Sequence, residues 1–197
     1  MLKHNNNQKG FALLMSLIVV GVVVSVGLTI LDLSIKQLML SSNSKDSEMA
    51  LHAANAGLEC VQYWRNKEAN KLELGQDVTF GCFNQSKTIS SVGVTKDGGT
   101  GNIYKYELFA NPTDGFTWGL NNDRCSKITL VIFNSDSSVG NVLKNTNMNA
   151  VVSGYPDTEK ECEAGGRCAV ISVQGYNKPC GSIGNHGTLQ REVLLES

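Results

Sequence analysis

The chain begins with a polar stretch, Met1–Gly10, then turns apolar at Phe11 and stays almost uninterruptedly so for about 21 residues, to Leu31, a length that as a helix matches the hydrocarbon core of a bilayer. Further on, Met49, Ala53, Ala56, Cys60 and Tyr63 or Trp64 recur at the three- and four-residue spacing of one helical face, while Glu48, Asn55, Glu59 and Gln62 lie elsewhere. That face consists mostly of small residues, so a partner surface can approach the backbone closely. No proline interrupts Met1 to Asn111, so the pattern predicts one helix from Phe11 to about Asn66. Its length is on the order of 80 Å. Ser41-Ser42-Asn43-Ser44 is the weak-helix stretch at which it would bend or melt.

After about Lys71 the chain becomes rich in Gly, Asn, Ser and Thr, with short β-prone runs between turn residues. Strands are expected near Val78–Phe83, Thr88–Thr95, Asn102–Ala110, Ile128–Phe133, Ala169–Gly175 and Leu189–Leu195, with Asp97-Gly98-Gly99-Thr100-Gly101 as the turn joining the second to the third. Residues 71–197 are enough for one core. The expected fold class is α+β: a long amino-terminal helix, its first half lipid-embedded and its second half packed on an antiparallel β-sheet domain.

The ten residues before the apolar run are basic and contain no acid, so the positive-inside rule keeps them in the cytoplasm and puts the chain beyond Leu31 outside. Ser25-Val26-Gly27 is a poor site for ordinary signal cleavage, because the apolar pattern continues through Leu28, Ile30 and Leu31. A retained helix fits better than a discarded one.

The leader ending in Lys9-Gly10, followed by Phe11 and an apolar helix, resembles the class III signal of type IV prepilins and pseudopilins. The resemblance implies that a membrane-embedded prepilin peptidase cuts between Gly10 and Phe11, on the cytoplasmic side, and methylates the new amino terminus. It also implies filament packing through Phe11, Leu14, Met15, Ile18 and Val22, and partnership with other pilins, minor pilins and the pilus assembly machinery. Ser47-Glu48-Met49-Ala50-Leu51-His52-Ala53-Ala54-Asn55-Ala56-Gly57-Leu58-Glu59-Cys60 is similar to the Ala-Ala-x-Ala-Gly-Leu-Glu segment of PilX-like minor pilins, at the matching distance from the cut. One position departs from the pattern. The fifth mature residue, usually a glutamate that pairs with a neighbouring amino terminus, is Met15. An unpaired ammonium among apolar helices is costly, which favours a minor or tip subunit over the principal building block.

All six cysteines, Cys60, Cys82, Cys125, Cys162, Cys168 and Cys180, fall on the expected outer side, where an even number suggests disulfides. Fifteen full pairings are possible, and spacing does not choose among them. Cys162 with Cys168 would close a short loop, and Cys60 would staple the helix to the sheet. Cys162, Cys168 and Cys180 with His186 lack the close-pair spacing of a structural zinc site. Asn134-Ser135-Asp136-Ser137-Ser138 lacks the glycine and terminal glutamate of an EF-hand and reads as a solvated loop. Ser182 near His186 has neither a Gly-x-Ser-x-Gly elbow nor an orienting acid, and no phosphate-binding loop exists, so neither catalysis nor a cofactor is expected. A net charge of −1, with dispersed Lys and Arg, gives no basic stripe for nucleic acid. Trp118 reads as a buried aromatic anchor ahead of an exposed contact.

Three roles are compatible with these features. The first is a minor pilin or pseudopilin cut at Gly10, with a single helix in the inner membrane before assembly into a surface filament. The second is a single-pass membrane protein with an extracytoplasmic binding domain that keeps its leader. The third is a secreted enzyme or binding module released near Gly27.

Overall fold

The computed structural model describes residues 8–108, 115–119, 121–138 and 140–197. Most of the expected leader, Met1–Asn7, and the end of the strand expected to reach Ala110 lie outside the described residues. The chain divides into two units, Met1–Lys45 and Asp46–Ser197. Helix α1 (Gln8–Lys67) contributes to both.

In the first unit α1 carries the apolar run. Val19, Val20, Val22, Val23, Val24 and Val26 have only modest helix preference in water. In hydrocarbon, however, a helix is the conformation in which a lone segment satisfies its own backbone polar groups. Every described side chain from Phe11 to Leu40 is exposed. Ser41-Ser42-Asn43-Ser44 is helical, so the stretch does not melt, and the boundary between the units falls just beyond it, after Lys45.

The second unit begins with the rest of α1 and a short α2 (Ala69–Glu73). A two-stranded hairpin comes next, β1 (Val78–Cys82) with β2 (Gln85–Ile89). The main sheet contains β3 (Val92–Val94), β4 (Gly101–Glu107), β5 (Phe116–Trp118), β6 (Arg124–Ser135), β9 (Arg167–Tyr176) and β10 (Gln190–Glu196), all antiparallel. Its order is β10-β9-β6-β4-β3, with β5 pairing to the amino-terminal end of β6, beyond the reach of β4. A small ladder, β7 (Leu143–Asn145) with β8 (Lys160–Cys162), and a helical turn α3 (Met148–Val151) complete the unit. The α+β class with an antiparallel sheet is thus present.

Alternation along the central strands divides the side chains between two faces. One face, with Ile128, Leu130, Ile132, Ala169, Ile171 and Val173, packs with Ala54 and Val61 of α1 and with Phe80 and Tyr106. The helix lies unusually close to this face. A Cβ on Gly175 would fall 2.2 Å from both the Ala50 carbonyl oxygen and the Ala54 nitrogen, and one on Gly57 would fall 2.7 Å from Val173 Cγ1. Glycine on each partner therefore removes the side chain that would hold helix and sheet apart. Buried Ser126 fastens the contact: its hydroxyl donates to the Ala53 carbonyl (2.7 Å) and accepts from the Trp118 indole N–H (2.9 Å).

Several expectations change. The strand expected over Thr88–Thr95 is the end of β2 plus all of β3, in different sheets, because the chain leaves the ladder at Ser90–Ser91, where the Ser91 hydroxyl donates to the Gly75 carbonyl (2.7 Å). β5, β7 and β8 were not foreseen, since three residues each carry too short a pattern and their pairing is tertiary. The Phe83-Asn84 turn between β1 and β2 has positive φ at both residues, as two-residue hairpins favour. For a phenylalanine this conformation costs about 1–2 kcal/mol. The ring gains a stack on Trp118, 4.6 Å between centroids and 4° between planes.

Gly175→Ala should destabilise the second unit by about 2–3 kcal/mol, because the added methyl meets helix backbone. Gly93→Ala, where a Cβ meets nothing within 4 Å, should stay within about 0.5 kcal/mol of wild type. Thermal melts of the two variants in one detergent check this; equal effects would remove the close-contact explanation.

Candidate functional site

From Gly10 to Leu31, α1 has no charged residue, and it is long and apolar enough to cross a membrane. Phe11 is 66% exposed, and Leu14, Met15, Ile18 and Val22, the residues expected to pack in a filament, are all exposed. A Cβ on Gly10 would meet nothing within 4 Å, leaving the Gly10–Phe11 bond with open surroundings in this unit.

The polar atoms of the run are satisfied internally. Ser16, Ser25 and Thr29 donate their hydroxyls to the carbonyls of Leu13, Val22 and Val26, at 2.8–2.9 Å. Such back-bonding hides hydroxyls from an apolar surrounding. The first acid after the run, Asp32, pairs with Lys36 at 2.8 Å, one helical turn on. The segment is suited to hydrocarbon or to other apolar helices, and exposing it to water is unfavourable by about 25 cal/mol per Å².

On the second half of α1 the buried line is shifted from the expected one. Ala53 is buried, but Met49, Ala56 and Cys60 are only partly so, and Tyr63 is 58% exposed. The buried positions are Ala50, Ala53, Ala54, Gly57 and Val61. The shift arises from Gly175: the sheet approaches the side of the helix where Ala50, Ala54 and Gly57 offer the least bulk. Trp64, the alternative to Tyr63, turns inward and donates its indole N–H to the Gly81 carbonyl (2.9 Å).

The six cysteines form three disulfides, Cys60–Cys82, Cys125–Cys180 and Cys162–Cys168, with Cα separations of 6.0, 4.9 and 5.8 Å. The first joins α1 to β1, the second ties the loop after β9 to β6, and the third closes the β8–β9 turn. Cys162, Cys168 and Cys180 are therefore consumed, and none offers a thiolate beside His186. Among the described residues no group of three or more His, Cys, Asp or Glu is placed to hold a metal ion.

The remaining sequence candidates take structural places. Asn134 and Ser135 end β6, and the loop beyond is pinned by an amide: Asn141 Nδ2 donates to the Thr100 carbonyl (2.7 Å) and to the Asp136 carbonyl (3.2 Å). His186 is exposed, its carbonyl bonded by Lys178, and no hydrogen bond joins its ring to Ser182 among the described residues. Trp118 is half-buried between Phe83 and Arg124, the Arg124 guanidinium carbon 5.2 Å from the ring centroid. Gly175 and Ser126 were not singled out from sequence; a glycine interrupting an apolar strand is the signal that marks a close backbone approach.

Two charge clusters perturb titrations. Asp97 accepts from the side chain and backbone of Thr146 (2.7 Å each), which lowers its pKa below the usual carboxylate value. Glu196, at the end of β10, is lowered first by its hydrogen bond with Lys160 and then by that with Tyr155.

No family model, no curated protein and no solved structure matches the chain.

The Glu196 cluster gives a pH prediction. Its carboxyl is depressed below 4.5 in the folded chain, so the stability it adds is present above that value and is lost as pH falls through the lower, folded one. The melting temperature should decline below pH 4.5, and Glu196→Gln should flatten that part of the decline while lowering the melting temperature at about pH 7. A decline of equal slope in both proteins would show that other groups dominate.

Proposed function

We propose that this chain is a minor pilin or pseudopilin subunit that contributes to assembly or tip function of a type IV pilus or related secretion filament. The observation that carries the reading is the composition of α1. Its Gly10–Leu31 part is uncharged, exposed and internally satisfied, while its Asp46–Lys67 part is built into a disulfide-bonded antiparallel unit. The Lys9-Gly10-Phe11 signal and the Ala53-Ala54-Asn55-Ala56-Gly57-Leu58-Glu59 segment support it from the sequence.

In this reading the chain inserts with its short basic end in the cytoplasm, and a prepilin peptidase cuts between Gly10 and Phe11. The charged leader leaves and the apolar helix stays. Glycine before the cut lets the backbone extend in a protease cleft. Bilayer and filament interior are both apolar, so transfer between them gains little hydrophobic free energy, and close packing of Phe11, Leu14, Met15, Ile18 and Val22 against other pilins supplies the preference. Extraction is driven by the assembly machinery. The chain acts as a structural subunit on the cell surface, with no catalytic step and no cofactor. The three disulfides suit an oxidising compartment. Met15 offers no acidic partner to the amino terminus of a neighbouring subunit, which favours a minor or tip position over the principal building block.

The absence of any acid between Gly10 and Leu31 also favours a second reading, a single-pass membrane protein that presents the disulfide-bonded unit as a binding domain and keeps its leader.

Co-expression with a prepilin peptidase separates the two. The wild type should be recovered with a methylated Phe11 at its amino terminus, and Gly10→Ala should be processed at least about tenfold more slowly, since its methyl group crowds the scissile bond. Recovery of an intact amino terminus from both proteins would favour the anchored domain, and a start near Leu28 would contradict both. Val20→Arg should weaken membrane insertion by about 2.5–3.5 kcal/mol in a translocon assay; unchanged insertion would remove the spanning role of the run.

A further inference from the structure

The sheet face turned away from α1 is apolar at both ends and polar between them. At one end Ile103, Val131, Phe133 and Val170 pack beneath Leu143, Met148 and Tyr155. At the other, Tyr176 packs with Cys125, Cys180 and Ile183. Between these clusters the register sets Glu107 opposite Thr129 and Thr129 opposite Ser172. Thr129 is only 8% exposed and Ser172 only 4%. Here hydroxyls are sunk to core depth beneath an open cleft of about 470 Å³, with Asn149, Ala150 and Ser153 beside α3 at its rim. That volume lies within the about 300–1,000 Å³ of ligand pockets.

The lining specifies the ligand. The two charged residues of the lining, Lys105 and Glu107, pair with each other, and the Ser172 hydroxyl is already taken by Glu192 Oε1, to which it donates (2.6 Å). A charged ligand would have to compete with the Lys105–Glu107 pair. Thr129, Ser153 and Asn149 present hydroxyls and an amide, which both donate and accept, and Gln174, whose Oε1 accepts from the Tyr176 hydroxyl (3.0 Å), adds amide donors. Ala150 and Val151 supply a small apolar surface at one wall. Matched charges, two-way hydrogen-bonding groups and a limited apolar wall complement a ring that carries hydroxyls around its edge and C–H bonds on its face. We infer that this cleft binds a neutral saccharide, one or two sugar units long. The site stands independently of the filament reading, because every residue in it belongs to the Asp46–Ser197 unit.

Saturation-transfer NMR on the full chain in lipid nanodiscs, free of glycoside detergents, tests the inference. The probes are glucose, galactose, N-acetylglucosamine and their β-1,4-linked disaccharides, with inorganic phosphate and a Gly-Ser-Gly-Ser peptide as competitors. At least one sugar should show saturable transfer with a Kd of about 1 mM. Thr129→Val, which keeps the β-branched shape, and Asn149→Ala, at the exposed rim, should each weaken binding by at least about fivefold while leaving the melting temperature unchanged. The inference is overturned if no sugar shows saturable transfer up to about 100 mM, two orders above that scale. It is equally overturned if both stably folded variants bind as the wild type does, or if phosphate or the peptide displaces the sugar at lower concentration.

Discussion

The second unit depends on one contact, the approach of α1 to the strand carrying Gly175. With no side chain there, the backbone of β9 comes against the Ala50–Ala54 turn, and Gly57 does the same for the helix over Val173. This closeness decides which line of α1 is buried, where Trp64 lies and why Ser126 can reach the Ala53 carbonyl. The Cys60–Cys82 disulfide then fixes the β1–β2 hairpin to the same helix, so the bond and the glycine contact constrain one element from two sides. Burying small residues yields modest hydrophobic stabilisation per residue, since alanine removes little apolar area from water. Dispersion at close range and the surrounding larger side chains, Phe80, Tyr106 and Ile128 among them, supply the rest.

The same helix meets opposite requirements in its two parts. Asp46–Lys67 has one narrow buried line and polar residues such as Glu48, Asn55 and Glu59 outside it, the pattern of a helix half in water. Gly10–Leu31 is apolar on all sides and hides its three hydroxyls against its own carbonyls, the pattern of a segment with no water to satisfy them. Asp32 and Lys36 mark the change, ahead of the serine-rich stretch that ends the first unit. A subunit stored in lipid and later moved among other helices needs both patterns in one element, which is the physical basis of the proposed role.

Much of this was legible in the sequence. The apolar length, the absence of proline before Pro112 and the Ala53-Ala54-Asn55-Ala56-Gly57 segment gave the extent of α1 and its fitness for close approach. β1, β4, β6, β9 and β10 were marked by β-prone runs, and the Asp97–Gly101 turn by its glycines, of which Gly99 and Gly101 have positive φ. Helical phase was misplaced because Met49 and Tyr63 are large and apolar, while the sheet selected the side with the smallest residues. β5, β7 and β8 form only because long-range partners hold them. The short Cys162–Cys168 loop and Cys60 as the staple from the helix were suggested by the sequence, whereas the Cys125–Cys180 pair was not, since the two are 55 residues apart and meet through the loop after β9. The polar middle of the outer face was hidden too, because it arises from register across β4, β6 and β9.

Amide hydrogen exchange of the full chain, in nanodiscs and in a weakly bound detergent, tests the central claim that α1 serves two surroundings at once. Ala50–Val61 should exchange as slowly as Ile128–Ile132 in both media, and Gly10–Leu31 should be strongly protected in the bilayer and much less so in the detergent. Rapid exchange of Ala50–Val61 while β6 remains protected would contradict the helix–sheet contact. Equal, weak protection of Gly10–Leu31 in both media would contradict its residence in the membrane.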